Sequence, residues 1–227
     1  MVRPRSVALV TLRRSAPARA PPRTWHDGQS ALTAEQLGQR AYGERGGGVP
    51  MNGLNKGIRK VELAAKWDPS PVGEPATDLD IIAATYVAAD PYGSPAYVVH
   101  FDSRSPDGTI YLNRDSKDGK GFGWDEVMTL ELDRLNSRYT RVVVGVLIQQ
   151  RSGHKVFAGV LNPGIRMREG YTVLAEDDFG GVLGATAATV GEFVRDDSGE
   201  WTFHPGIHGY DTDPAAFARI MGSRHDS

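Results

Sequence analysis

Carboxylates crowd one stretch of this chain. Phe101 to Glu126, FDSRSPDGTIYLNRDSKDGKGFGWDE, carries Asp102, Asp107, Asp115, Asp118, Asp125 and Glu126 along with four glycines. Asp78 and Asp80 lie just upstream, separated by one residue. On an extended strand, that spacing puts both carboxylates on one face, within reach of one ion. Without a cation they repel each other. Acidic, glycine-rich loops pinned between apolar runs suit a hard cation, and Ca²⁺ in particular takes oxygen ligands from carboxylates, carbonyls and water. The EF-hand pattern does not fit. With Asp115 at the first loop position and Glu126 at the last, Lys117, Gly119 and Lys120 fall where that loop needs acids and its glycine. A calcium loop of another type is expected, with Gly119, Gly121 and Gly123 free to adopt positive φ.

Other chemistries find little purchase. No GxxxxGK[ST] or GxSxG motif occurs, and Gly119-x-Gly121-x-Gly123 is not a dinucleotide fingerprint. His204 and His208 flank Pro205 and Gly206, which cannot sit inside a zinc-binding helix. Cysteine is absent, which removes disulfides, thiolate metal sites and thiol nucleophiles and accords with a cytoplasmic protein. No apolar run approaches the ~20 residues a membrane span needs. Metal-dependent hydrolysis through Asp78, Asp102 and Asp125 stays open as a third reading, but no nucleophile or base with a defined partner is visible.

The elements that must position these acids are strands. Short alternating or apolar runs occur at 58–67, 80–89, 96–101, 109–112, 127–132, 141–149, 165–167, 171–174, 185–194 and 201–207, with Gly, Asp and Pro turns between them. The run RVVVGVLIQ from Arg141 to Gln149 reads as a central strand buried on both faces. Pro214 to Met221 reads as one C-terminal helix, capped by Asp213 with Pro214 at its first position. The pattern predicts a mainly β, two-sheet sandwich with a short C-terminal helix.

Charge divides the chain. Of the 227 residues, 1–50 carry net +5 and 51–227 carry net −7. The first part, with its arginines and Pro17, Pro21 and Pro22, reads as a basic, disordered extension; Thr33 to Tyr42 could form a short helix within it. Met51 would serve as a natural start, and the folded domain is expected from about Gly53. An acidic domain repels nucleic acid and concentrates cations.

In order, Trp67-Asp68-Pro69, Asp78-Leu79-Asp80, Phe101-Asp102, Ser105-Pro106-Asp107-Gly108, Asp115 and Gly123-Trp124-Asp125-Glu126 resemble the TerD family of tellurium-resistance and stress-response proteins. The resemblance runs from about Gly53 to Gly222. It implies a β-sandwich that binds calcium through acidic loops without turnover, in the cytoplasm, with partners in the same stress-response system. It puts the family's DLD acids on Asp78 and Asp80 and the asparagine pair before its SPDG on Asp102 and Ser103. Its GDN aspartate falls on Asp115, and its last acidic pair on Asp125 and Glu126. Two clustered ions are usual for the family. Here Lys120, Phe122 and Trp124 stand where acids or small residues are common, and Ser116 replaces an asparagine, so one or two calcium ions are expected. The same departures support a second hypothesis, a metal-free β-sandwich interaction module that presents Phe122 and Trp124. Tellurite resistance is a phenotype, and without cysteine this chain cannot reduce tellurite through a thiol.

Overall fold

Each apolar run becomes a strand. The structure, a computed structural model, describes residues 57–224. Its ten strands, numbered in chain order, form two antiparallel five-stranded sheets. The first has the order β4 (Ile110–Arg114), β5 (Glu126–Glu131), β1 (Lys60–Asp68), β7 (Leu161–Glu169), β8 (Thr172–Asp177). The second runs β10 (Trp201–Tyr210), β9 (Ala187–Arg195), β6 (Tyr139–Ile148), β2 (Leu79–Val87), β3 (Tyr97–Val99). The basic extension and the Thr33–Tyr42 helix lie outside the described residues.

The main core lies between the sheets. Val61, Leu63 and Trp67 of β1 and Met128 and Leu130 of β5 meet Ile81, Val142, Val144, Val146 and Phe193 of the second sheet. Alternation on β1 and β5 follows from this, because their other face is partly open to water. β6 has no such alternation because it is covered twice. Val143 and Leu147 on its outer face join Ile82, Ala84 and Tyr86 of β2 in a second cluster, closed by Phe217 and Met221. Phe217 lies on the one α-helix among the described residues, α1 (Pro214–Ile220). The Asp213 side chain accepts from the Ala216 N–H to cap it. Gly145 makes the approach possible: a Cβ there would stand 2.9 Å from Phe217 Cζ.

Three features depart from the sequence reading. β7 begins at Leu161 and runs through Asn162, Pro163 and Gly164, which look like a turn. Its register with β1 shifts opposite Lys66–Asp68, and a bulge is where a central strand can hold a proline. β10 likewise carries Pro205 and Gly206 through a register shift and reaches Tyr210. Short 3-10 turns at Leu132–Arg134, Phe157–Gly159 and Gly180–Val182 are too brief to leave a periodic signal.

One truncation opens a gap at the edge of the second sheet. β3 pairs with β2 only over Ala83–Thr85. The chain then turns at His100, which bridges to Ser103. The side of β2 that faces away from β6 is therefore left without a strand partner before Ala83.

Candidate metal centre

The open start of β2 is where the acids gather. Glu126 opens β5 with the same inward parity as Met128 and Leu130, so its carboxylate enters the space between the sheets. There it takes the place of the missing strand: the Ile81 N–H donates to Glu126 Oε2 at 2.7 Å. Asp80 is buried beside it, and the Gln149 side chain donates to Asp80 Oδ2. Asp115, exposed just beyond β4, completes the group. One carboxylate oxygen from each of Asp80, Asp115 and Glu126 lies within 4.8 Å of the other two. Oxygens bound to one calcium at ~2.3–2.6 Å can be at most about 5 Å apart, so the three can share an ion.

Asp78 adjoins this group. It is buried, and one oxygen, Oδ2, is 3.0 Å from Arg151. Its other oxygen, and Oε1 of Glu126, are buried without a hydrogen-bond partner among the described residues. Such orphaned acceptors are costly in a dry site, and their donor chemistry is that of a hard-cation ligand. The electrostatics agree. Burial, then the charges of Asp80, Asp115 and Asp78, push the Glu126 carboxyl up to about 10, against the favourable Ile81 bond. Burial and then Asp80 push Asp78 up to about 6, with Arg151 pulling the other way. Burial also raises Asp80, opposed first by Gln149.

Besides Asp78, two predicted ligands, Asp125 and Asp102, lie outside the group of three. The Asp125 side chain accepts from the Trp67 N–H at 3.1 Å, and its own N–H donates to the Ala65 carbonyl at 2.9 Å. It thus closes the end of the β1–β5 ladder. Asp102 lies exposed on the turn after β3, where its N–H donates to His100 Nδ1 at 3.3 Å. The glycine loop is held from below. Gly119 has φ +65°, and a Cβ there would meet the Trp67 carbonyl oxygen at 2.6 Å. Trp67 in turn donates through Nε1 to the Thr77 carbonyl at 2.9 Å, next to Asp78. At the loop tip Lys120 pairs with Asp118 at 2.9 Å. Phe122 is 99% exposed. Trp124 stacks under Arg166, whose guanidinium lies 4.5 Å from the ring centre.

Gln149 and Arg151 carry no signal in the sequence. An arginine is no cation ligand, a lone glutamine at a strand end is commonplace, and the place of both follows only from pairing. β6 runs antiparallel to β2, with Ile148 opposite Leu79, so whatever comes after β6 falls beside Asp78 and Asp80.

Comparisons with known proteins bear on the family and the fold. The family model described as the TerD domain matches residues 44–220. The tellurium resistance protein TerD of Serratia marcescens is 25% identical over 173 residues, covering 73% of this chain and 88% of that protein. Among solved structures, the protein of unknown function SAV2460 is 85% identical, with a TM-score of 0.74 over 75% of this chain and 100% of that one. A homologue of the telluride resistance protein, SCO6318 from Streptomyces coelicolor A3(2), is 54% identical, with a TM-score of 0.72 over 74% of this chain and 99% of that one.

Proposed function

The chain belongs to the TerD family, and from that we propose that it is a cytoplasmic calcium-binding module of a tellurium-resistance and stress-response system, acting by binding and not by turnover. The observation that carries the reading is the convergence of Asp80, Asp115 and Glu126 within 4.8 Å at the unpaired start of β2. The orphaned buried oxygens of Glu126 and Asp78 support it. Asp80, Asp115 and Glu126 would hold the ion, with Asp78 beside them. The ion would neutralise mutually repelling carboxylates and tie the start of β2 to the loop between β4 and β5. That loop would then be ordered as a surface for a partner protein.

Calorimetric titration of the full chain with Ca²⁺ tests this, with thermal melting in calcium and in chelator alongside. At a hundredfold excess over Kd, one ion stabilises by ~2.7 kcal/mol. In a domain this size that raises Tm by roughly 5–10 °C. Asp80→Asn and Asp115→Asn are expected to lose most of that rise. Absence of heat and of any shift in the parent protein, or a full shift in both variants, would sink the proposal.

A second reading rests on Phe122, whose ring is 99% exposed at the loop tip. In it the fold presents Phe122 and Trp124 to a partner without any ion. Partner capture that persists in chelator and is lost in Phe122→Ser would favour it.

A further inference from the structure

A metal site that is silent until it is filled needs something to hold its ligands meanwhile. At Asp78 that role falls to Arg151. The segment after β6 delivers two side chains to the acids: Gln149 reaches Asp80 Oδ2, and Arg151 NH1 lies 3.0 Å from Asp78 Oδ2. The segment is pinned there because the Gln149 N–H donates to the Asp78 carbonyl at 2.8 Å. The two ends of the ion pair differ. The Asp78 side chain is 11% exposed, whereas that of Arg151 is 56% exposed. The carboxylate is fixed in the fold, while the guanidinium approaches from solvent and can leave. Its other contact is the ring of Phe101, 5.9 Å from the guanidinium carbon, at the turn that ends β3.

We propose that Arg151 is a built-in competitor for the cation at Asp78, setting the calcium level at which the site fills, and that filling releases its contact with Phe101. This rests on the calcium reading. A monovalent, half-exposed guanidinium on one oxygen forms a weaker hold than a divalent ion on several. A divalent ion drawing on several carboxylates at once displaces it, and the freed side chain returns to water at little cost. Among the described cations near the acids, Arg151 is distinguished by direct contact. Lys120 is taken by Asp118, and Lys155 Nζ donates to Thr77 Oγ1 at 2.7 Å. Lys117 acts on Asp78 through its field. Release also changes the turn holding Phe101 and Asp102, because the ring loses the guanidinium and keeps only the His100 ring, 5.3 Å away, of these two neighbours.

The test is calcium titration of the full chain as the parent, Arg151→Gln, Arg151→Lys, Asp78→Asn and the Arg151→Gln/Asp78→Asn double variant. Arg151→Gln is expected to bind Ca²⁺ about fivefold more tightly, and Arg151→Lys to stay near the parent. In the Asp78→Asn background the Arg151→Gln gain should vanish, since the competed oxygen is no longer charged. The Arg151 Nε–H resonance in ¹⁵N spectra should shift on saturation as the guanidinium leaves. If the parent binds and Arg151→Gln binds equally or more weakly, Arg151 is not a competitor, and the calcium reading stands. If neither binds, the calcium reading falls and this inference with it.

Discussion

Glu126 concentrates the electrostatic cost of this end of the molecule. Its carboxyl is buried, adjacent to three other acids, and pushed up to about 10; Asp78 is pushed to about 6. A carboxyl whose pKa is higher in the folded than in the unfolded chain stabilises the fold fully below its unfolded value, and loses that contribution as pH rises through the folded one. Stability in chelator should therefore fall from pH 5 to pH 8, through Asp78 and Glu126 together up to about pH 6 and more gradually through Glu126 alone above it. Calcium needs Glu126 ionised and is held more strongly with Asp78 ionised beside it, so its binding releases protons and its stabilisation should grow over the same range. Glu126→Gln is expected to flatten the slope in chelator, raise Tm at pH 8, and abolish the calcium-dependent rise. Melting curves with and without calcium at pH 5, 6.5 and 8 check this; a chelator Tm that climbs with pH contradicts it. Residue type alone points to Asp80, Asp115 and Glu126. It also points to Asp125, whose carboxylate instead closes a strand ladder, because an acid's preference for a backbone N–H or for an ion depends on where the ladder ends.

Loops of glycine are positioned elements, and not every glycine in them matters equally. Gly119 and Gly123 both have positive φ, at +65° and +86°. A Cβ at Gly123 would meet nothing within 4 Å, but at Gly119 it would lie 2.6 Å from the Trp67 carbonyl and 2.7 Å from the indole. Gly123→Ala should then cost only the left-handed backbone penalty, ~1–2 kcal/mol. Gly119→Ala must also displace Trp67, and with it the Thr77 carbonyl that precedes Asp78. It should cost at least about 1 kcal/mol more and weaken calcium binding, whereas Gly123→Ala leaves affinity near the parent. Equal losses in the two, by denaturant melts, would mean that Trp67 does not support the loop. The strands are legible in the sequence because their period is 2 and one face is dry, as β1 and β5 show. The passage of β7 through Asn162-Pro163-Gly164 is not, because tertiary pairing with β1 and β8 overrides local turn chemistry there.

For the whole molecule, the centre of the second sheet, β2 and β6, is buried on both faces because α1 lies on it. Phe217 is fully buried against Tyr86, Val143 and Leu147 in a cluster separate from the main core. Removing its ring should cost about 3–5 kcal/mol, so Phe217→Ala should lower Tm by roughly 10 °C; a change of only a degree or two would show the helix to be ornamental. Arg141 ties the same region together. Its guanidinium donates to Glu192, to the Pro91 carbonyl at 2.8 Å and to the Gly222 carbonyl at 2.6 Å just past the helix. The apolar length of β6 announces a doubly covered strand, and Asp213-Pro214 announces the helix. That the helix supplies the cover cannot be read from either stretch, since nothing in them names a neighbour.

The early end of β3 has one more consequence. The amide of Ile81 is bonded by a side chain that is itself a metal ligand candidate, in a ladder where its neighbours are bonded by backbone. Its proton is therefore a label the fold already carries: in an exchange experiment, one resonance tells whether the Glu126 carboxylate is still in place, without a dye, a tag or an added tryptophan.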